Sequence, residues 1–103
     1  MNLIMETRIP THPGEVLKEE LESRNISQKQ FAELMNMPRT QLNEILNGKR
    51  SVSTDFALMV EAALGINPDL LINMQNRYNM AIARRKPSLL TKLSDIRRAC
   101  AAL

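Results

Sequence analysis

Apolar residues recur along this chain at helical rather than strand spacing, in segments separated by Pro, Gly and Asn. The segment from Pro13 carries Val16, Leu17 and Leu21 among charged neighbours, a pattern typical of an amphipathic helix. Pro13 at a first-turn position favours a helix start. Pro10 and Pro13 also restrict the residues before them, which keeps helix out until about His12. Residues 1–11 are therefore predicted to form an extended arm.

A helix pair with a tight turn is predicted next. Ser27 and Gln30 have the S-x-x-Q spacing of a capping box, so a second helix is predicted over residues 28–35. Residues 36–38 (Asn-Met-Pro) break it, because Asn tolerates positive φ and Pro can open a new helix, predicted over residues 38–46. The apolar residues expected to face the core are Phe31, Leu34, Met35, Leu42, Ile45 and Leu46.

Two longer helices are predicted to follow. Ser53 caps a fourth helix that ends at Gly65, and its apolar residues lie almost all round, which predicts a buried centre of the fold. Asn67 and Pro68 open a fifth helix that reaches about Ala83. Its apolar stripe consists of Leu71, Met74, Tyr78 and Ile82.

A basic break over residues 84–87 is the predicted domain edge. The chain thus divides into an arm (1–11), a five-helix domain (12–84) and an amphipathic tail helix (85–103), all α. The apolar stripe of the tail is Leu89, Leu93, Ile96, Cys100 and Leu103. It is too short for an independent coiled coil, so it docks on its own domain, a sister subunit or a partner. Three surroundings are open for the basic residues at this break: the DNA backbone, an acidic protein surface or solvent. These residues are Arg84, Arg85 and Lys86.

Composition narrows the class of protein. The chain has 103 residues, 44% hydrophobic and 24% charged, which suits one soluble domain. It contains no stretch of the roughly eighteen apolar residues that a membrane span needs. Cys100 is the only cysteine, which excludes an internal disulfide framework and favours a reducing compartment, so a cytoplasmic location is expected.

Charge is unevenly distributed, although the formal net charge is only +3. Residues 1–47 hold five cations and seven acids, whereas residues 48–103 hold nine cations and four acids. The second and third helices therefore do not lie in a basic half. The placement of individual cations carries more information than the total.

The second and third helices have the pattern of a helix-turn-helix. Ala32 is small enough for close helix approach, Asn36 suits the strained turn position, and Leu42 and Ile45 fill the crossing. In that motif the second helix enters the DNA major groove with its N-terminal residues at base edges. Two amphipathic helices of an ordinary bundle are the alternative interpretation.

The exposed residues around this pair suit DNA recognition. Arg39 can bind guanine through two hydrogen bonds, and Asn43 can pair with adenine. Thr40 suits a thymine methyl or a phosphate, and Glu44 can accept from cytosine. Gln28, at the start of the second helix, is placed for a phosphate contact. The predicted DNA-binding residues are Gln28, Arg39, Thr40, Gln41, Asn43, Glu44, Lys49 and Arg50, of which the last two neutralise phosphates.

An enzyme is disfavoured, because no nucleophile, metal set or phosphate-binding loop accompanies these residues, and no cofactor is expected. His12 is the only histidine and lies at a Pro-flanked helix start, so a capping or packing role is expected. The acidic cluster Glu19, Glu20 and Glu22 is interpreted as a solvated helix face that points away from DNA.

Three stretches of the sequence resemble one known family. They are HPGEVLKEEL at residues 12–21, SQKQFA at 27–32 and NEILNGKR at 43–50, with weaker similarity at 64–68 and 73–78. Together they are similar to the HigA/VapI-type antitoxins of the XRE (Cro/C1-type) helix-turn-helix superfamily, over roughly residues 10 to 84. The sequence departs from the family at Leu71, where Trp is usual, which affects core packing.

This resemblance implies a lambda-repressor-like fold and a homodimeric antitoxin. Such a protein would bind operator DNA, repress its own operon and neutralise a RelE-like toxin that cleaves mRNA. A plain XRE-family transcriptional regulator without a toxin partner is the alternative. An adjacent RelE-like reading frame would discriminate the two.

Overall fold

The computed structural model describes residues 8–103, which form α-helices and no strand. The six helices in this part of the chain are α1 (Pro13–Ser23), α2 (Gln28–Leu34), α3 (Arg39–Leu46), α4 (Thr54–Leu64), α5 (Pro68–Ala83) and α6 (Pro87–Ala101). The predicted all-α class is confirmed, with α6 as the tail helix. Of the predicted arm, residues 1–7 lie outside the described residues, and residues 8–12 precede α1 without regular structure.

Side-chain caps fix the helix starts. Ser27 accepts a hydrogen bond from the Gln30 backbone while Gln30 accepts one from the Ser27 backbone, which confirms the capping box. The side-chain oxygens of Ser53 and Asn67 cap α4 and α5, where they accept from the backbone N–H groups of Phe56 and Asp69. Pro38 differs from the prediction: its ψ of 139° is extended, so it is the N-cap of α3, and the helix begins at Arg39.

A residue with positive φ follows each of the first four helices. Asn25 and Asn36, with φ of 57° and 51°, follow α1 and α2 as the sequence predicts. Gly48 and Gly65 have φ of 75° and 73° and follow α3 and α4. Asn accepts this conformation because its short polar side chain can hydrogen-bond locally.

The core is shared by α1 to α5, each of which contributes buried side chains. Helix α4 packs on α5, α2 packs on α3, and α1 contacts both α3 and α5. The fully buried large side chains include Leu17, Phe31, Leu42, Ile45, Leu46, Val60 and Leu71. Leu71 is 0% exposed, so the leucine that departs from the family pattern is a core residue.

The prediction for Leu34 is wrong, because this side chain is 66% exposed. The buried face of α2 runs through Phe31, Met35 and Ala32. At 100° per residue, Leu34 lies beyond Phe31 on the side away from Ala32, and thus outside the covered arc.

The prediction that α4 is the buried centre of the fold holds for one face of the helix only. Phe56, Ala57 and Val60 are buried, but Leu58 is 51% exposed and Met59 39% exposed. Only one side of α4 is covered, because it packs on α5 and no further layer of the described chain lies over its opposite face.

Helix α6 extends away from the five-helix domain. None of its residues is buried, and Cys100, predicted to pack as a small hydrophobe, is exposed. The described chain measures 57 × 29 × 22 Å with a radius of gyration of 17.5 Å, against about 13 Å for a compact domain of this length. No helix within residues 8–103 has the length and apolar character needed to cross a membrane.

Candidate nucleic-acid interface

Helices α2 and α3 form a packed pair joined by a four-residue turn. Ala32, Leu42 and Ile45 are buried where the two helices meet. Within the turn, the Met37 N–H donates to the Ala32 carbonyl over 3.0 Å while Asn36 takes the positive φ. As predicted from the sequence, Ala32 lies at the helix contact, Asn36 has a left-handed conformation, and Leu42 and Ile45 are buried at the crossing. The opposite face of α3 points outward.

The outward face of α3 carries most of the predicted DNA-binding residues. Arg39, Thr40 and Asn43 are exposed, whereas Gln41 and Glu44 are half-buried at its sides. Gln41 lies nearest the buried Ile45, because helical spacing places it at the edge of the covered arc. The polar surface available to a major groove is thus centred on Thr40 and Asn43, with Arg39 at the N-terminal end.

A hydrogen bond joins the two helices across this surface. The Asn43 Nδ2 donates to the Gln28 Oε1 over 3.0 Å, which links the start of α2 to the middle of α3. Asn43 keeps its second amide N–H and its oxygen, the two groups that recognise adenine. The sequence placed both residues in the site but did not indicate that they contact each other.

Glu44 and Arg50 form an ion pair that the sequence analysis missed. The Arg50 Nε and Nη2 donate to the Glu44 Oε1 over 3.1 and 2.9 Å, and both side chains are about half exposed. The pairing follows from the turn at Gly48, after which the Lys49 and Arg50 backbones donate to the Glu44 carbonyl over 2.8 and 3.2 Å. Arg50 therefore screens the one carboxylate on the outward face of α3.

The loop after α3 is tied to α5. The Val52 N–H donates to the buried Gln75 Oε1 over 2.8 Å, and the Gln75 Nε2 donates to Asn79 over 2.9 Å. Lys49, which lies in this loop, is exposed. The structure gives neither Lys49 nor Arg39 an ion-pair partner among residues 8–103.

His12 holds α1 against the end of α3, which confirms its predicted capping and packing role. Its Nδ1 accepts from the Gly14 N–H over 2.9 Å, and its ring meets Tyr78 edge-on with centroids 4.8 Å apart. A Cβ on Gly48 would lie 3.5 Å from the His12 Cγ. Burial lowers the pKa of the imidazole, and the Glu15 carboxylate opposes part of that shift.

Gly14 allows this close approach. A Cβ at residue 14 would lie 1.9 Å from the Ile45 carbonyl oxygen, so no larger residue fits without moving α1 or α3. The orientation of the outward helix is thus set by α1 from one side and by α2 from the other.

The acidic residues of α1 differ in whether they have an ion-pair partner. Glu19 and Glu22 are exposed, and Glu20 pairs with Arg24 over 3.4 Å. Lys18 donates to the Asn47 side chain over 3.4 Å, at the C-terminal end of α3.

Comparison with known proteins shows where this arrangement recurs. A helix-turn-helix family model matches residues 17–71, which span α1 to the start of α5. Antitoxin HigA-1 of Vibrio cholerae is 32% identical over 80 residues, which cover 77% of this chain and 75% of the relative. The chain belongs to the HigA-type antitoxins of the XRE helix-turn-helix superfamily.

Solved structures agree with this family assignment. An addiction module antidote protein of the HigA family from Coxiella burnetii superposes with a TM-score of 0.71 at 34% identity, covering 85% of this chain and 95% of that one. Pseudomonas aeruginosa antitoxin HigA, solved with the higBA promoter, has a TM-score of 0.67 at 29% identity, covering 72% and 82%. The two structures share their fold with 85% and 72% of this chain.

Proposed function

We propose that this HigA-type protein binds operator DNA as a homodimer, represses its own operon and neutralises a RelE-like, mRNA-cleaving toxin. The observation that carries the DNA-binding part is the outward face of α3. Arg39 is exposed there without an ion-pair partner in the described chain, beside Thr40 and an Asn43 oriented by Gln28. Support also comes from the Pseudomonas aeruginosa HigA relative, which was solved with a promoter.

The proposed DNA-binding residues divide into those that recognise bases and those that contact the phosphate backbone of the DNA. Arg39 and Asn43 carry the donor and acceptor pairs that distinguish guanine and adenine in the major groove. Lys49 lies past the end of α3 and offers a charge without a base edge in reach, which suits a phosphate. Arg50 shares its charge with Glu44, so its phosphate contact is weaker than that of Lys49.

Two alanine variants test this division on operator and random-sequence DNA. We expect Arg39→Ala to lower operator affinity by about 1–3 kcal/mol while random DNA is bound as before. Lys49→Ala should weaken both DNAs alike and flatten the dependence of affinity on salt. The exposed Lys92 of α6 supplies a matched Lys→Ala control. Equal loss on both DNAs for Arg39→Ala would contradict the base contact.

The toxin-neutralising part is tested by co-expression. The reading frame beside this gene, if RelE-like, should arrest growth alone, and this chain should restore growth and co-purify with it. Rescue without co-purification would indicate control by repression only. The absence of any such frame would favour a plain XRE-family regulator.

A further inference from the structure

A cleft lined by arginines lies between the segment that precedes α1 and the C-terminal half of α5. Its volume is about 620 Å³, and no acidic residue lines it within the described chain. Its cationic lining is Arg8, Arg77, Arg84 and Arg85, and its other lining residues include Pro10, Asn76, Met80 and Ala81. Four arginine side chains thus line one cleft.

The positive charge of the cleft is not balanced nearby in the sequence. From Ile72 to Leu103 the chain has seven Lys or Arg residues and one acid, Asp95, and Asp95 pairs with Arg98 on α6. Arg77 and Arg84 stand seven residues apart on one side of α5, with Ala81 between them. Neither has an ion-pair partner in residues 8–103.

The position of the cleft points to the kind of anion. Pro10 lies two residues before His12, whose ring contacts Tyr78 and lies where a Cβ on Gly48 would come within 3.5 Å of it. Pro10 at the edge of the cleft is thus at most about 7 Å of extended chain from His12, which packs beside the loop that carries Lys49. Exposed Lys49 and the arginines of the cleft therefore lie on the two sides of the buried His12.

We infer that this cleft binds backbone phosphates of DNA beside the major-groove segment that α3 contacts. Guanidinium groups are suited to phosphate because each presents several donors in a planar fork. The exposed Met80 and the small Ala81 leave an apolar floor against which deoxyribose can pack. This inference rests on the proposed DNA binding and adds a second, sequence-independent contact to it.

The test is a double variant, Arg77→Gln with Arg84→Gln, which removes two charges but keeps most of each side-chain stem. A matched control, Lys92→Gln with Arg97→Gln, removes the same net charge from α6. Affinity for operator and random DNA is measured across a range of salt concentrations, and hydroxyl-radical footprints are recorded on the operator. Circular dichroism and thermal melting verify that each variant is folded.

We expect the cleft variant to lose affinity for both DNAs, by about ten- to thirtyfold near 0.15 M salt, and the salt slope to fall by about 1 to 2. Backbone protection flanking the central footprint should disappear, while protection at the centre remains. The control variant should change the slope less.

Three results would overturn the inference while wild-type protein still binds operator. The first is an unchanged slope and footprint in the cleft variant. The second is an equal loss in the control, which would reflect net charge alone. The third is unchanged DNA binding together with loss of toxin co-purification, which would make the cleft a site for an acidic protein surface. Failure of the wild-type protein to bind DNA would instead refute the proposed function.

Discussion

Individual residues around His12 join α3, the proposed recognition helix, to the rest of the domain. The imidazole accepts from the Gly14 N–H through Nδ1, so it must be neutral at that nitrogen to cap α1. Burial lowers its pKa below the usual 6.5, and Glu15 only partly opposes the shift. Because the unfolded chain then binds the proton more readily, protonation favours unfolding.

Stability should therefore depend on pH through this one residue. The His12 contribution is fully present above about pH 6.5 and declines as the pH falls toward the lowered pKa of the folded state. We expect the free energy of unfolding, measured by urea titration, to fall between about pH 7.5 and 5.5 in the wild-type protein. His12→Asn keeps a capping oxygen without a titrating group, so its stability should be flat over that range. Equal slopes in both proteins would contradict the assignment.

Sequence reasoning succeeded for residues whose role is local and failed for pairs set by tertiary distance. Asn25 and Asn36 take positive φ because of their own chemistry, which a sequence displays. The Gln28–Asn43 and Glu44–Arg50 contacts depend on how α2 and the loop after Gly48 lie against α3. Spacings of fifteen and six residues do not encode such contacts.

At the scale of helices, periodicity predicted which elements exist but overestimated how much of each is covered. Apolar residues surround α4 in sequence, yet Leu58 and Met59 are exposed because only one side of the helix has a neighbour. The sequence shows which positions of a helix are apolar. Whether they are buried depends on how many neighbouring helices pack against it. For α6 the same difference is larger, since its apolar stripe buries no residue.

Removing α6 should accordingly leave the domain stable. We expect a chain ending at Lys86 to unfold with a free energy within about 0.5 kcal/mol of the full chain, because no residue of α6 is buried. Its far-UV dichroism should fall in proportion to the missing helix. Leu71→Ala is the contrasting variant: this residue is fully buried, and the change should destabilise by about 2–5 kcal/mol.

Urea titration of the three proteins at one concentration makes the comparison. A truncated chain that is as unstable as Leu71→Ala would show that α6 belongs to the folding unit and that residue 84 is no domain edge.

For the whole molecule, charge is separated in space as it is in sequence. Acidic Glu19 and Glu22 lie exposed on α1, whereas the cations concentrate past the end of α3 and along α5 and α6. A net charge of +3 thus conceals an uneven distribution, with an excess of acids in residues 1–47 and of cations in residues 48–103. Such a distribution orients an encounter with DNA more than it strengthens binding overall.

Homodimeric binding, as proposed, constrains the operator. Each subunit must meet the same face of the duplex, so half-site centres should lie about 10 bp apart or a multiple of that. Inserting about 5 bp between half-sites turns one of them to the opposite face and should abolish cooperative binding, while about 10 bp should restore it. Gel-shift titrations of the three spacings measure this. Insensitivity to spacing would indicate independent monomers.

The hydrogen bond from the Val52 backbone to the buried Gln75 has a consequence for the strength of the proposed DNA binding. It fixes the loop carrying Lys49 before any DNA arrives. A loop already held in place loses little conformational entropy when it meets a phosphate, so more of the electrostatic attraction remains as affinity. If Lys49 contacts a phosphate as proposed, the domain core therefore contributes to that surface contact through the buried amide of Gln75.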